Sequence, residues 1–385
     1  MSPPPARRNR SLQVLTGPFD RSREERRVAS PQPSSPIPAR SKLIVGALAF
    51  GGLTALGLVA LIRWRPPSEL DSILARITPG FAVALLALLV LDFTLGGLRY
   101  RLLLDGRVFS RVSLWHCMRA NWANMLLGAI TPAQTGGGAA QLYVLCRRGA
   151  RLSEAILCSL LTFVATLLFF ALGGLAALAL LPGEALARGV LIALAIAVAA
   201  ITALAGLFIS AVAARRRTVR LIRRFLNLVS RRRTRVRRWA AAGRRLLSRE
   251  VERLAAGLRA VASRGKATLA WVCLATALLY LNKYLMGYVL AAALQGPVDL
   301  SFIGLQLLQH IVLYFSPTPG ASGIAEASTG LLMNRVLLVE VTVLWVVGWR
   351  LLTTFFGTVL GAFVLFAEAR RHVADVRAGE KGAAA

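Results

Sequence analysis

Cysteine and histidine are scarce in this sequence of 385 residues, and neither forms a recognisable motif. The four cysteines and three histidines are Cys117, Cys146, Cys158, Cys273, His116, His310 and His372. A zinc site needs closely spaced ligands and a disulfide scaffold needs a denser set of cysteines, so neither is expected. We therefore expect buried, unreactive thiols and no metal or other cofactor.

Acidic residues are also few, with 17 against 47 basic ones, for a formal net charge of +30. The excess is concentrated in two segments: residues 1–42 hold 9 basic and 3 acidic residues, and residues 215–266 hold 19 and 2. Hydrophobic residues make up 56% of the chain and fill the stretches between. This pattern excludes a soluble enzyme or a free nucleic-acid binder, and no nucleic-acid partner is expected.

Long apolar runs dominate the rest of the chain. A helix needs roughly 20 apolar residues to cross a bilayer, and six runs reach that length. They are residues 43–62, 79–98, 153–181, 189–214, 267–294 and 336–367. The sequence therefore predicts an all-α polytopic membrane protein with about six full transmembrane helices.

Four shorter runs form two pairs, and a Pro/Gly-rich stretch breaks each pair at residues 131–138 and 316–323. Proline removes a helical donor and glycine loosens a helix, so each pair is predicted to form two half-helices. The two broken-helix hairpins, at 114–148 and 302–335, are expected to be re-entrant. Eight to ten ordinary spans with proline kinks are the alternative.

Basic segments mark the cytoplasmic side of a membrane protein. Applied here, this rule gives a disordered basic cytoplasmic tail (1–41), a first membrane half (42–214), an Arg-rich cytoplasmic loop (215–266), a second membrane half (267–368) and a cytoplasmic tail (369–385). The two hairpins then enter from opposite sides, as in inverted-repeat transporters. Arginine greatly outnumbers lysine, which is typical of GC-rich bacteria. We expect a bacterial inner membrane protein with both termini cytoplasmic.

The Arg-rich loop contains an apolar stripe with helical spacing and a basic opposite face. Its apolar residues are Leu247, Val251, Leu254, Leu258 and Val261. Such an amphipathic helix is suited to lie on anionic lipid of the inner leaflet.

The first break offers amides, hydroxyls and three consecutive glycines at membrane depth, followed by two arginines. The candidate substrate-binding residues are Asn121, Asn124, Thr131, Pro132, Gln134, Thr135, Gly136, Gly137, Gly138, Gln141, Arg147 and Arg148. A half-helix that starts near Gly138 would direct its N-terminal amides at an anionic group such as phosphate. The alternative is a Gly-rich kink that permits close helix packing.

The second break is followed by Glu326 at the start of a half-helix. Its candidate residues are Pro317, Thr318, Pro319, Gly320, Gly323, Glu326, Lys283 and Arg350. Intramembrane charges normally pair or face a wet cavity, so Glu326 is expected to pair with Arg350 or Lys283. A helix-capping role is its alternative. Asp92 and Arg99 share a helix face on the second span, where a structural role is expected.

The motif TPAQTGGGAAQ at 131–141, followed by RRG at 147–149, and the motif PTPGASGIAE at 317–326 resemble the lysylphosphatidylglycerol synthase transmembrane-domain family. The resemblance covers most of residues 43–367. It implies lipid translocation between leaflets, in some members of an aminoacylated phosphatidylglycerol. Many members carry Arg and Glu in the first break where this chain has Gln134 and Gln141. Because the chain ends about 18 residues after the last span, we expect no synthase domain and no enzyme activity.

The expected function is that of a lipid flippase, which moves an anionic or aminoacylated phospholipid or a polyprenyl-linked lipid. The alternative is a non-transporting membrane subunit that binds lipid and supports a partner glycosyltransferase or synthase encoded nearby. An intramembrane lipid-modifying enzyme is disfavoured, because no nucleophile–base pair appears in the sequence.

The topology can be tested by labelling single cysteines from outside the cell. Cysteines placed at Gly183 and Gln295 should react with an impermeant reagent, and cysteines at Arg147 and Arg220 should not, because basic segments stay in the cytoplasm. Labelling at Arg220 from outside would contradict the scheme.

Overall fold

A computed structural model describes residues 40–64, 70–107, 109–180, 265–333 and 336–384, with scattered residues between 192 and 263. Three sequence predictions fall almost entirely outside these residues: the tail at 1–41, most of the span at 189–214, and the Arg-rich loop with its amphipathic helix. The described residues form helices and turns, with no β-strand among them.

The described residues contain five helices that are long and apolar enough to cross a membrane. These are α1 (Arg40–Trp64), α3 (Pro79–Leu103), α6 (Leu152–Leu180), α7 (Lys266–Gln295) and the last helix, α10 (Val339–Arg350) continuing into α11 (Phe356–Ala384). A short helix α2 (Leu70–Leu74) precedes α3. The protein is therefore an all-α, multi-pass membrane protein. The one other predicted span, at residues 189–214, lies mainly outside the described residues.

Both predicted breaks interrupt helices. The first hairpin consists of α4 (Leu114–Ile130), a 3-10 turn (Pro132–Gln134) and α5 (Thr135–Arg147). The second consists of α8 (Ser301–Tyr314), a 3-10 turn (Pro319–Ala321) and α9 (Ile324–Leu332). The expectation that the first hairpin's second half-helix begins near Gly138 is wrong. Helix α5 begins three residues earlier, because Thr135 already has helical dihedral angles (φ −63°, ψ −29°).

The long helices position the hairpins. Helix α7 packs along α3, and α11 packs along the first hairpin's α4. Helix α1 contacts the second break and α9. The two breaks contact each other, since a Cβ added at Gly320 in the second would lie 3.1 Å from the carbonyl oxygen of Ala129 in α4. The polar backbone of both breaks is thus gathered in one region.

The last long helix changes its winding at residues Leu351–Phe355, which form a π-helical turn. Such turns are rare and often occur at functional sites. This turn directly follows Arg350, the buried arginine at the end of α10. Beyond the turn, α11 runs on to Ala384, through the predicted C-terminal tail.

The crossing of α11 and α4 depends on Gly361. A Cβ at Gly361 would collide with the carbonyl oxygen of Trp122 and lie 2.8 Å from Leu126 Cβ. We expect Gly361→Ala to lower the free energy of unfolding by about 1–3 kcal/mol, the usual cost of overpacking. Thermal unfolding in detergent measures the loss.

Gly52→Ala is the matched control, because a Cβ at this exposed position of α1 meets no atom within 4 Å. Its higher helix propensity should leave stability unchanged or raise it by up to about 1 kcal/mol. Equal stability of the two variants would contradict a close α11–α4 crossing.

Candidate functional site

A buried ion pair joins the second hairpin to the last long helix. Arg350 Nη1 contacts the carboxylate of Glu326, and both side chains are 2% exposed. Arg350 Nη2 also donates hydrogen bonds to the carbonyl oxygen of Gly320 at 2.8 Å and to Ser322 Oγ at 3.3 Å. The structure thus selects Arg350, and not Lys283, as the partner of Glu326.

Glu326 also has the capping role that the sequence left as an alternative. Its Oε2 accepts a hydrogen bond at 2.7 Å from the backbone N–H of Gly323, where α9 begins. A carboxylate in the first turn is favoured by the helix dipole. This helix N-terminus is therefore occupied by the protein's own carboxylate, so the second break does not offer it to an anionic ligand.

Lys283 belongs to a second ion pair, with Asp92. Its Nζ lies 2.8 Å from Asp92 Oδ1 and 2.9 Å from Oδ2, and the contact ties α7 to α3. Arg99, which shares the helix face of Asp92, instead donates a hydrogen bond to Thr166 Oγ1 on α6 at 3.2 Å. Asp92 and Arg99 therefore contact different helices.

The first break is stabilised by hydroxyl groups. Thr131 Oγ1 donates to the carbonyl oxygen of Leu127 and accepts from the N–H of Gly136 at 2.9 Å. Gln134, at the end of the turn, has a left-handed backbone (φ 56°, ψ 21°), a conformation that costs most residues about 1–2 kcal/mol. In the second break Gly320 and Ala321 are left-handed as well. Strained residues of this kind cluster at functional sites.

Two amides of the first hairpin, Asn124 and Gln141, bond to each other. Asn124 Nδ2 donates to Gln141 Oε1 at 2.9 Å, and Gln141 Nε2 donates to Ser159 Oγ at 2.9 Å. One N–H of each amide is therefore engaged within the protein. Both side chains still line the cavity described next.

A cavity of about 400 Å³ lies where the two breaks meet. Its walls come from both hairpins, from α3, α6 and α7, and from the π-helical turn, which contributes Thr353 and Thr354. Eight of the sequence-predicted residues line it: Asn121, Asn124, Gln134, Gly138, Gln141, Lys283, Gly320 and Arg350. The volume lies within the range of small-molecule binding pockets, which is about 300–1,000 Å³.

Twelve other predicted residues do not line this cavity. They are Thr131, Pro132, Thr135, Gly136, Gly137, Arg147, Arg148, Pro317, Thr318, Pro319, Gly323 and Glu326. Gly137 instead packs tightly, because a Cβ there would lie 2.7 Å from Asn124 Oδ1. At Gly137, therefore, the structure agrees with the alternative given for the first break, in which glycine permits close helix packing.

Arg148 lies in a separate charged cluster around Glu368, a buried residue of α11. Glu368 Oε1 contacts Arg148 and lies 2.8 Å from Arg119 Nη2, so the cluster fastens the first hairpin to the last helix. His116, in the first turn of α4 and outside the spanning helices, faces the same cluster. Burial, and then the charges of Arg148 and Arg119, lower its pKa.

Sequence reasoning missed several cavity residues. Ser159, Thr162 and Thr166 line it from α6, and Tyr280, His310 and Tyr314 line it from α7 and α8. The spacing of the three hydroxyl residues, three and four apart in an apolar helix, was the available signal. The ring of His310 packs against the rings of Phe170, Tyr280 and Trp349.

Spanning helices and two broken-helix hairpins define an integral membrane protein with an internal polar cavity. Residues 44–361, most of the chain, match the family model of the lysylphosphatidylglycerol synthase TM region. The chain belongs to this family, which relates it to proteins that act on membrane lipids. No curated protein matches the chain significantly in sequence.

The role of the Glu326–Arg350 pair can be tested by removing its charges. Glu326→Gln keeps an acceptor for the Gly323 N–H but leaves Arg350 buried without a counter-charge. We expect the free energy of unfolding to fall by roughly 3–5 kcal/mol. In the double variant Glu326→Gln/Arg350→Met no buried charge remains, and most of that loss should return.

Thermal unfolding of the purified variants in detergent measures both changes. Asp92→Asn/Lys283→Met serves as a comparison, because it removes a buried pair without touching either break. If the Glu326/Arg350 double variant is no more stable than Glu326→Gln, the two charges do not depend on each other.

Proposed function

We propose that this protein carries a lipid between the two leaflets of a bacterial inner membrane, with the headgroup passing through the cavity between the breaks. The cargo is a phospholipid or a polyprenyl-linked lipid, and it leaves chemically unchanged. Both termini are placed in the cytoplasm on the basis of the charge distribution.

The observation that carries this proposal is the meeting of the two breaks at one polar cavity. Non-helical backbone at membrane depth is tolerated where it is buried in protein or lines a wet cavity. Secondary transporters use discontinuous helices of this kind to bind substrate near the bilayer midplane. The cavity of about 400 Å³ accommodates a headgroup rather than a whole lipid.

The outer faces of the spanning helices support the same proposal. Large apolar side chains are exposed on them, among them Leu48, Leu56, Val83, Leu86, Phe363 and Phe366. Such surfaces suit the hydrocarbon of a bilayer. Acyl chains can therefore stay in the membrane while the headgroup moves through the polar interior.

The proposal is tested with the full chain reconstituted in liposomes that contain fluorescent phosphatidylglycerol. Translocation brings inner-leaflet probe to the outer surface, where a membrane-impermeant reductant quenches it. Gly138→Leu should reduce the rate about tenfold or more, equivalent to about 1.4 kcal/mol. Gly138 lines the cavity and a Cβ there has no atom within 4 Å, so a larger side chain can extend into the path of the headgroup.

Gly51→Leu is the matched control, because Gly51 is an exposed helix glycine outside the cavity with equally open space around it. It should translocate at the rate of the unmodified protein. Mass spectrometry of the recovered probe should show an unaltered lipid. If the reconstituted protein binds the probe without moving it between leaflets, the result would favour the non-transporting subunit instead.

A further inference from the structure

We infer that Arg99 is the residue that binds the headgroup, and that the cavity takes a lipid with an anionic phosphate headgroup. This inference rests on the proposed function, and it names the class of lipid that the site accepts. It follows from the charges that line the cavity and from the bonds that each of them makes.

Four charged side chains line the cavity: Asp92, Arg99, Lys283 and Arg350. Lys283 is neutralised by Asp92. Arg350 is neutralised by Glu326, which does not itself line the cavity. Within the described part of the chain, Arg99 has no carboxylate within 4 Å. The site therefore contains three cations and two carboxylates, and the excess positive charge belongs to Arg99.

Arg99 is also incompletely hydrogen-bonded. The residue is only 8% exposed, and its buried Nε has no hydrogen-bond partner among the described residues. Its other contacts are with neutral groups: Nη1 donates to the Thr166 hydroxyl at 3.2 Å, and the guanidinium lies 5.8 Å from the centre of the Tyr100 ring. A buried charge without a counter-charge is costly, and in membranes such groups mark substrate sites. An anion supplied by the ligand would remove that cost.

A guanidinium group matches phosphate geometrically as well as electrically. Its Nε–H and the adjacent Nη–H form a fork that binds two phosphate oxygens at once. The neighbouring hydroxyls do not compete for this role, because Thr162 and Thr166 donate their protons to backbone carbonyls of their own helix. Arg99 is therefore the strongest donor that the cavity offers to an anion.

The position of Arg99 suits a lipid that enters from the end of α3. The residue lies four positions before the last residue of the helix, or about 6 Å along its axis. Asp92, which pairs with Lys283 of α7, lies seven residues before Arg99, or about 10 Å further into the helix. A phosphate at Arg99 thus sits close to the predicted cytoplasmic surface, with the rest of the cavity beyond it.

The experiment compares Arg99→Gln with the unmodified protein. Retention of phosphatidylglycerol and of zwitterionic phosphatidylcholine is measured by native mass spectrometry in detergent. We expect the unmodified protein to retain phosphatidylglycerol better than phosphatidylcholine. The ratio of the two should fall about tenfold in Arg99→Gln and by an intermediate amount in Arg99→Lys. Arg101→Gln is the matched control, because Arg101 lies on the same helix outside the cavity and donates to the carbonyl oxygen of Leu104.

Thermal unfolding separates a binding residue from a structural one. Removing an uncompensated buried charge should raise the unfolding temperature of Arg99→Gln without lipid, whereas loss of a structural residue would lower it. Added phosphatidylglycerol should stabilise the unmodified protein and not the variant. Inorganic phosphate alone should stabilise neither. Equal stabilisation by inorganic phosphate would assign the site to a free anion and overturn the lipid assignment.

Failure of the inference differs from failure of the transport proposal. If Arg99→Gln retains phosphatidylglycerol as well as the unmodified protein, or if phosphatidylcholine is retained equally, the inference is wrong even where lipids are translocated. If retention depends on Arg99 but reconstituted protein moves no lipid, the transport proposal is wrong and the headgroup site stands.

Discussion

Two interruptions of the helical backbone inside a membrane protein impose the constraint on which the rest of the structure depends. An open N–H or C=O in hydrocarbon costs several kcal/mol, so each broken helix needs partners from elsewhere in the protein. The first break satisfies its backbone locally, through the Thr131 hydroxyl. The second uses Arg350 from another helix, which is itself held by Glu326. Of these side chains, Arg350 also lines the cavity where the two breaks meet.

This difference gives the two hairpins different connections to the rest of the fold. The turn of the first hairpin could form from its own residues. The second needs α10 in place, and α1 covers it through a hydrogen bond of 2.8 Å between Thr54 and Ser322. The π-helical turn directly after Arg350 places Thr353 and Thr354 on the cavity wall. The last long helix therefore both supplies Arg350 to the ion pair and forms part of the cavity wall.

Local sequence patterns predicted the class of protein, the five described spans and both breaks. Hydrophobic length and Pro/Gly clusters act over short distances, so the sequence displays them directly. Partner choice depends on how distant helices pack. In the sequence, two cations lie at a suitable depth to pair with Glu326. Lys283 is ruled out as its partner only by the packing of α7 on α3, which places Lys283 beside Asp92. The positive charge of Arg99 was taken for a structural feature of α3 because its lack of a carboxylate is visible only in three dimensions.

Arg99 is a buried cation whose charge the described residues do not neutralise, which lowers the stability of the fold. Two cations in this region have carboxylate partners, so the fold is able to neutralise buried charge, yet the described residues leave the third without one. Natural proteins usually violate rules of this kind at functional sites, where a ligand supplies what the chain omits. An arginine kept for packing would lose little by acquiring a carboxylate neighbour. An arginine that must bind and then release a phosphate cannot have one, because a permanent counter-charge would occupy the site. The missing carboxylate is thus what a reversible anion site requires.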